Sequence, residues 1–335
     1  MEANEPRIPG VTAPSVKTRP DNNNIGLPHP KYPLRDLIRK LTQNKKVVAG
    51  GTILVAMVFV VAFAPLIAPG DPMAFVAQAN QPPSAEHLLG TSGQGQDVFV
   101  QLIRGSRVSL LTGVFVGLIA TILGIIVGMT AGYFGGAVDN ILSVVMNVFL
   151  VIPGLPLLVV LAAFLPRTPA TIVLVLGLTG WPGTARVLRA QTLSVRTKEY
   201  VSAAIVGGES IFRVIFAEIL PNMASIVASS LLGGIAFGIV AEAGLEFLGL
   251  GDTSRVSWGT ILYWAQNNAG LLTGAWWTFL PPGLCIALAA FSLTLINYSV
   301  DEITNPALRS QRSGGAILRK LYLRSRATPV VPNEK

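Results

Sequence analysis

Six long stretches of this chain contain no Asp, Glu, Lys or Arg: 47–70, 108–138, 140–166, 168–185, 219–241 and 256–300. A hydrocarbon core of roughly 30 Å needs about 20 apolar residues to be crossed as a helix. Inside it, the backbone must satisfy its own hydrogen bonds. The first five stretches therefore each accommodate one transmembrane helix, with Trp181-Pro182-Gly183 interrupting the fourth. The sixth is too long for one span and begins with Trp258, Tyr263, Asn267 and Asn268. Residues 256–274 read as a polar loop or re-entrant segment, and 275–300 as the span. Composition agrees, because only 13% of the residues are charged and 51% are hydrophobic, against about 25% charged in a soluble domain. The expected fold is an all-α integral membrane protein of about six transmembrane helices.

The net charge of +8 is distributed unevenly. With six spans, nine Lys and Arg fall in 1–46, none in 132–140, five in 183–218 and seven in 301–335, against Arg104, Arg107, Arg167 and Arg255 on the other side. This is the positive-inside pattern. It places both termini in the cytoplasm and accounts for the basic charge without a nucleic-acid partner. Residues 1–46 form a mostly polar tail ahead of the first span, so 47–70 reads as an anchor and not as a cleaved signal. Within that tail, 1–30 read as disordered; Leu34, Leu37, Ile38 and Leu41 at helical spacing suit a helix along the interface, or else the segment is a solvated basic leader. Residues 71–106 read as an extracytoplasmic loop, 107–300 as the transmembrane core and 301–335 as a cytoplasmic tail that touches anionic lipid or is disordered. Cys285 is the only cysteine and excludes internal disulfides; His29 and His87 lack partners at metal-ligand spacing.

No G-x-x-x-x-G-K-[ST] occurs, so nothing in the chain reads as a phosphate cradle for ATP. No cluster of hydrolase type is visible, and the chain does not read as an enzyme. The informative segment is the internal loop 186–222. Thr197 suits an N-cap and Glu199 the first helical turn, where a carboxylate meets the positive end of the dipole. Ala203 and Ala204 permit close approach of another surface, Gly207-Gly208 end the short helix, and Ser210 starts a second one running into Leu220-Pro221. Such a helix–glycine–helix elbow is a docking device.

Residues 199–222 resemble the coupling loop of binding-protein-dependent ABC importer permeases. That motif reads Glu-Ala-Ala, three residues, Gly, nine residues, Ile, one residue, Leu-Pro. Here it falls on Ser202, Ala203, Ala204, Gly208, Glu218, Leu220 and Pro221, with Ser202 replacing the Glu and Glu218 the Ile. Other segments are similar to the peptide branch of the same family: His87-Leu88-Leu89-Gly90-Thr91, Gly95-Gln96-Asp97-Val98, Arg107-Val108-Ser109-Leu110, Gly135-Gly136-Ala137-Val138-Asp139, and Ile152-Pro153. Trp181, Arg186 and Arg189 precede the loop as in that branch, and Phe247-Leu248-Gly249-Leu250-Gly251 and Ser257-Trp258-Gly259 follow it. Leu88, Gln96 and Asn147 depart from the pattern, where Pro, Arg and Asp are usual.

The resemblance implies the type I ABC importer permease fold, with a cytoplasmic coupling helix between spans four and five. It implies that Glu199, Tyr200, Ala203, Ala204, Gly208, Leu220 and Pro221 couple the chain to an ATPase. It also implies a second homologous permease, two cytoplasmic ATPase subunits or domains that bind ATP and Mg, and an extracytoplasmic binding protein. The expected location is a prokaryotic cell membrane, and the expected cargo is di- or oligopeptides, with nickel chelates or oligosaccharides as alternatives. Glu242 and Glu246 close the fifth span at its external end, where a structural role at the interface is expected. An ion-coupled secondary transporter or channel is the competing reading; mid-span regions almost bare of charge weigh against proton coupling. A structural subunit or lipid-processing enzyme lacks any supporting cluster.

Overall fold

The computed structural model describes residues 44–304. Among them, all regular structure is helical apart from one isolated bridge between Thr91 and Asp97. The interfacial helix expected at 34–41 and the basic tail at 311–335 lie outside the described residues.

Helix α1, Lys45–Ile67, starts at Asn44, whose side-chain oxygen accepts a hydrogen bond from Lys46 N at 3.1 Å. It is apolar all round and buries only Gly50 and Ala64. That is the pattern of a helix bathed in lipid and held from one side. Helix α2, Val98–Phe134, has 37 residues and so extends about 55 Å, well beyond a hydrocarbon core. Asp97 caps it, accepting from Phe99 N at 2.8 Å and Val100 N at 3.1 Å. The loop expected at 71–106 therefore ends at Asp97, and Arg104 and Arg107 sit on a helix. An apolar run marks the part of a helix that faces hydrocarbon, and the helix continues wherever its hydrogen bonds do.

Packing is organised by α2, and small residues decide how closely its neighbours approach. A Cβ added to Gly113 or Gly117 would stand 2.4 Å and 2.6 Å from Cγ1 atoms of Ile239 and Ile235 on the later helix α7, Ile211–Phe247. Added to Gly124, Gly128 or Gly132, it would meet Thr184, Ala185 and Thr192 on α5, Pro169–Val195, within 2.4–2.7 Å. One helix thus seats two others against bare backbone.

The third apolar stretch is not one straight helix. Helix α3, Gly136–Val151, and helix α4, Gly154–Phe164, meet at an angle of 86°. Ile152 is extended, with ψ 128°, ahead of Pro153, as a residue before proline prefers. The interruption expected at Trp181-Pro182-Gly183 does not occur: α5 runs through Pro182 to Val195. Pro182 removes one backbone donor, and Trp181 and Ala185 beside it pack on Ala131 and Met146. Arg186 and Arg189, expected on a loop, consequently lie on its last turns.

Residues 68–97 form an ordered cap. Arg104 donates to the carbonyls of Ala68 and Gly70, Gln96 to Met73 O, and Trp277 Nε1 to Thr91 O at 3.1 Å. His87 Nδ1 stands 2.8 Å from Asp97 Oδ2. Residues 256–274 include a helix, α8, Trp258–Asn267, with a reciprocal capping box between Ser257 and Thr260. Helix α9, Leu280–Thr304, closes the bundle beside α1, with Ser292 and Leu295 against Gly50. Counting the bent pair α3–α4 as one span makes six, in line with the expected number. The 68–97 cap defines one face of the bundle. The opposite face carries the elbow between α5 and α7.

Candidate coupling elbow

The elbow begins where α5 stops. Arg196 is its C-cap, and Lys198, extended at ψ 147°, precedes helix α6, Glu199–Val206. Thr197, the expected N-cap, instead donates to Ser194 O at 3.1 Å, and no side chain caps α6. The Gly207-Gly208 ending is as expected: Gly208 has φ +80°, a conformation glycine adopts without strain. Ser210 starts the next helix, accepting from Arg213 N at 3.4 Å. The Glu209–Arg213 ion pair beside it is exposed and adds little.

The return helix is irregular. Val214–Ile219 is a π-helical stretch and Leu220–Met223 a 3₁₀ turn before the regular helix resumes at Ala224. Pro221 cannot donate to the preceding turn. The adjacent Asn222 side chain donates to Glu218 O at 2.6 Å and satisfies that carbonyl.

The base of the elbow is an apolar cluster. Val201 from α6 and Val214, Ile215, Ile219 and Met223 from α7 bury against Leu188 of α5 and Met129 of α2. Tyr200, Ala204 and Leu220 pack onto its edge. Burial, and then the nearby Glu218 carboxylate, push the Tyr200 phenol above its ordinary pKa, so it stays neutral. Glu199, Ala203, Gly208 and Pro221 are exposed. The seven residues singled out in the sequence therefore divide between an inward set and an outward one.

The outward side also carries large apolar residues that sequence reasoning did not single out. Val206 is 89% exposed and Phe212 76%, with Ile205, Ile211 and Phe216 beside them. The signal was present: the bulky apolar residues Ile205, Val206, Ile211 and Phe212 flank the Gly-Gly-Glu-Ser that breaks the helix. The elbow presents an apolar knuckle above a buried apolar base.

Glu242 and Glu246, expected at an interface, are enclosed at 1% and 2% exposure near the capped face. Ser109 Oγ donates to Glu242 at 3.3 Å and Ser257 Oγ to Glu246. Trp258 N donates to Ser109 Oγ at 3.1 Å, so the pair ties α2, α7 and α8 together.

Apolar helices long enough to span a membrane are thus joined, at one end of the bundle, by an elbow whose apolar knuckle stands exposed above a buried base. Residues 120–310 match the family model described as binding-protein-dependent transport system inner membrane component, and 33–83 match the N-terminal TM domain of oligopeptide transport permease C. The chain belongs to the binding-protein-dependent transport inner membrane component family. Among its relatives, the dipeptide transport system permease protein DppC of Bacillus subtilis is 33% identical over 280 residues, 82% of this chain and 86% of that protein. The oligopeptide transport system permease protein OppC of Mycobacterium tuberculosis (strain H37Rv) is 34% identical over 286 residues, 83% of this chain and 96% of that protein. OppC of Bacillus subtilis is 29% identical over 277 residues, 82% of this chain and 90% of that protein.

Proposed function

We propose that this chain is one of two membrane-spanning subunits of an ATP-driven importer of di- or oligopeptides. The observation that carries the reading is the elbow, an apolar knuckle of Val206, Ile211 and Phe212 on a buried base at the end of α5. The knuckle seats in a cleft of a cytoplasmic ATPase, and closure of two such ATPases on ATP and Mg displaces it. Glu199, Ala203 and Gly208 border the contact, while Tyr200, Ala204 and Leu220 hold its base. ATP binds the partners and not this chain. A ligand shifts an equilibrium only by its differential affinity for the two states, so ATP binding elsewhere acts here solely through the elbow.

The elbow face is then cytoplasmic in a prokaryotic cell membrane, with both termini on that side. The side chains of Lys46 and Tyr298, 5.5 Å apart, bring the two ends of the described chain together. The 68–97 cap faces outward, where an extracytoplasmic binding protein delivers cargo. The names of the relatives, dipeptide and oligopeptide permeases, support peptides as that cargo.

The test is reconstitution of the permease pair in vesicles, alone and with ATPases and binding protein. Peptide should accumulate only in the complete mixture, with ATP on the elbow side. Concentration of solute by the permease pair alone, driven by a proton or sodium gradient, would overturn the reading.

A further inference from the structure

Asp139 and Arg189 stand 50 positions apart in the chain and meet as a fork. Arg189 donates through Nε to one carboxylate oxygen and through Nη2 to the other, at 2.8 Å for the second bond. Ser143 adds a third hydrogen bond to the Asp139 carboxylate at 3.2 Å. The Arg189 side chain is 30% exposed and that of Asp139 14%, so the pair is half-buried. Seven residues further on, Arg196 reaches back from the end of α5. Its Nη1 donates to Gly132 O at 3.1 Å and Tyr133 O at 2.9 Å. These are carbonyls of the last turn of α2, which have no partner within their own helix. Arg189 on α5 and Arg196 at its C-cap, about two helical turns apart, thus both hold the α2–α3 turn.

The grip lies between the elbow end of α5 and the start of the broken helix pair α3–α4. Arg196 sits three residues before α6, so displacement of the elbow reaches the end of α5 first. Asp139 sits in the first turn of α3, whose far end bends by 86° into α4. Helix α4 and the upper part of α7 line an apolar groove through Leu155, Leu158, Phe237, Val240 and Gly244. A two-bond fork fixes orientation as well as distance, which one point contact does not.

We propose that the Asp139–Arg189 fork, backed by Arg196, is the joint that transmits displacement of the elbow to the broken helix pair α3–α4. Both residues are positioning residues and touch no cargo. This rests on the elbow being the ATPase contact. Loss of the fork leaves docking intact and loosens the link between hydrolysis and movement of α4.

The test uses the complete reconstituted importer with Asp139→Asn, Arg189→Lys and the exchange Asp139→Arg/Arg189→Asp. Arg189→Lys retains charge and bulk while removing the fork, and so remains informative if Asp139→Asn assembles poorly. ATPase co-purification and ATP hydrolysis should stay near wild type in Arg189→Lys, while peptide accumulated per ATP falls about tenfold. The exchange variant should recover part of that ratio. Unchanged uptake per ATP overturns the joint, as does a parallel loss of assembly, hydrolysis and uptake, which marks a purely structural contact. A wild-type importer without ATP-driven uptake overturns the underlying function itself, and the two failures are thereby distinguished.

Discussion

Truncation of Phe212 to Ala isolates the knuckle from the fold that carries it. The residue is 76% exposed and packs on none of the buried clusters, so its removal should leave thermal unfolding of the permease unchanged. A phenylalanine offers about 200 Å² for burial, of which roughly three quarters stands free here. At about 25 cal/mol per Å², complete burial against an ATPase has a ceiling near 4 kcal/mol. Ordering costs on association and the Cβ retained in alanine reduce this to about 2 kcal/mol. That corresponds to roughly thirtyfold weaker ATPase binding. Titration of labelled ATPase onto the permease pair in nanodiscs reads the affinity directly, and a melt on the same samples reads the fold. Wild-type affinity in Phe212→Ala would remove the knuckle from the interface. Loss of affinity with an equal loss of thermal stability would show that the residue supports the fold instead.

Ala203→Glu and Ala204→Glu should behave differently despite being neighbours. The first points outward and should weaken ATPase docking in a stable protein. The second places a carboxyl on the edge of the Val201 cluster and should cost about 1–3 kcal/mol of stability; identical melting curves would refute the inward assignment. Gly128→Leu drives a side chain into backbone 2.4 Å away at Ala185 O and should abolish accumulation of folded protein. Gly183→Ala, with open space around its Cβ, should be neutral or stabilising by about 0.5–1 kcal/mol; a loss in Gly183→Ala equal to that in Gly128→Leu would refute the open space around Gly183. Reporter fusions at Lys335 and within 75–85 should be active on opposite sides of the membrane, with the first inside; a C-terminal reporter active only outside would invert the topology.

Features that depend on local solvent preference were readable from the residues alone. An uncharged run of about 20 residues has one stable place, the bilayer core, so the number of crossings was legible before any contact was known. The elbow was legible for a similar reason. Gly207-Gly208 and Ser210 punctuate helices wherever they stand, because φ freedom and a side-chain acceptor are properties of single residues. Ends of helices were less legible: α2 begins at Val98 and α5 continues to Val195, since hydrogen bonding carries a helix past the point where its hydrophobicity stops. Pro153 and Pro182 look alike in sequence, yet one marks an 86° bend and the other lies within a continuous helix. Packing of Trp181 and Ala185 on Ala131 and Met146 accompanies continuity at the second. Tertiary packing alone sets which side of the elbow faces out, because α6 and α7 turn until Val201, Val214 and Ile219 reach Leu188 and Met129. It alone brought Asp139 to Arg189 and enclosed Glu242 and Glu246. Those meetings depend on how far α2 lets its neighbours approach, and its glycines set that distance through three helices at once.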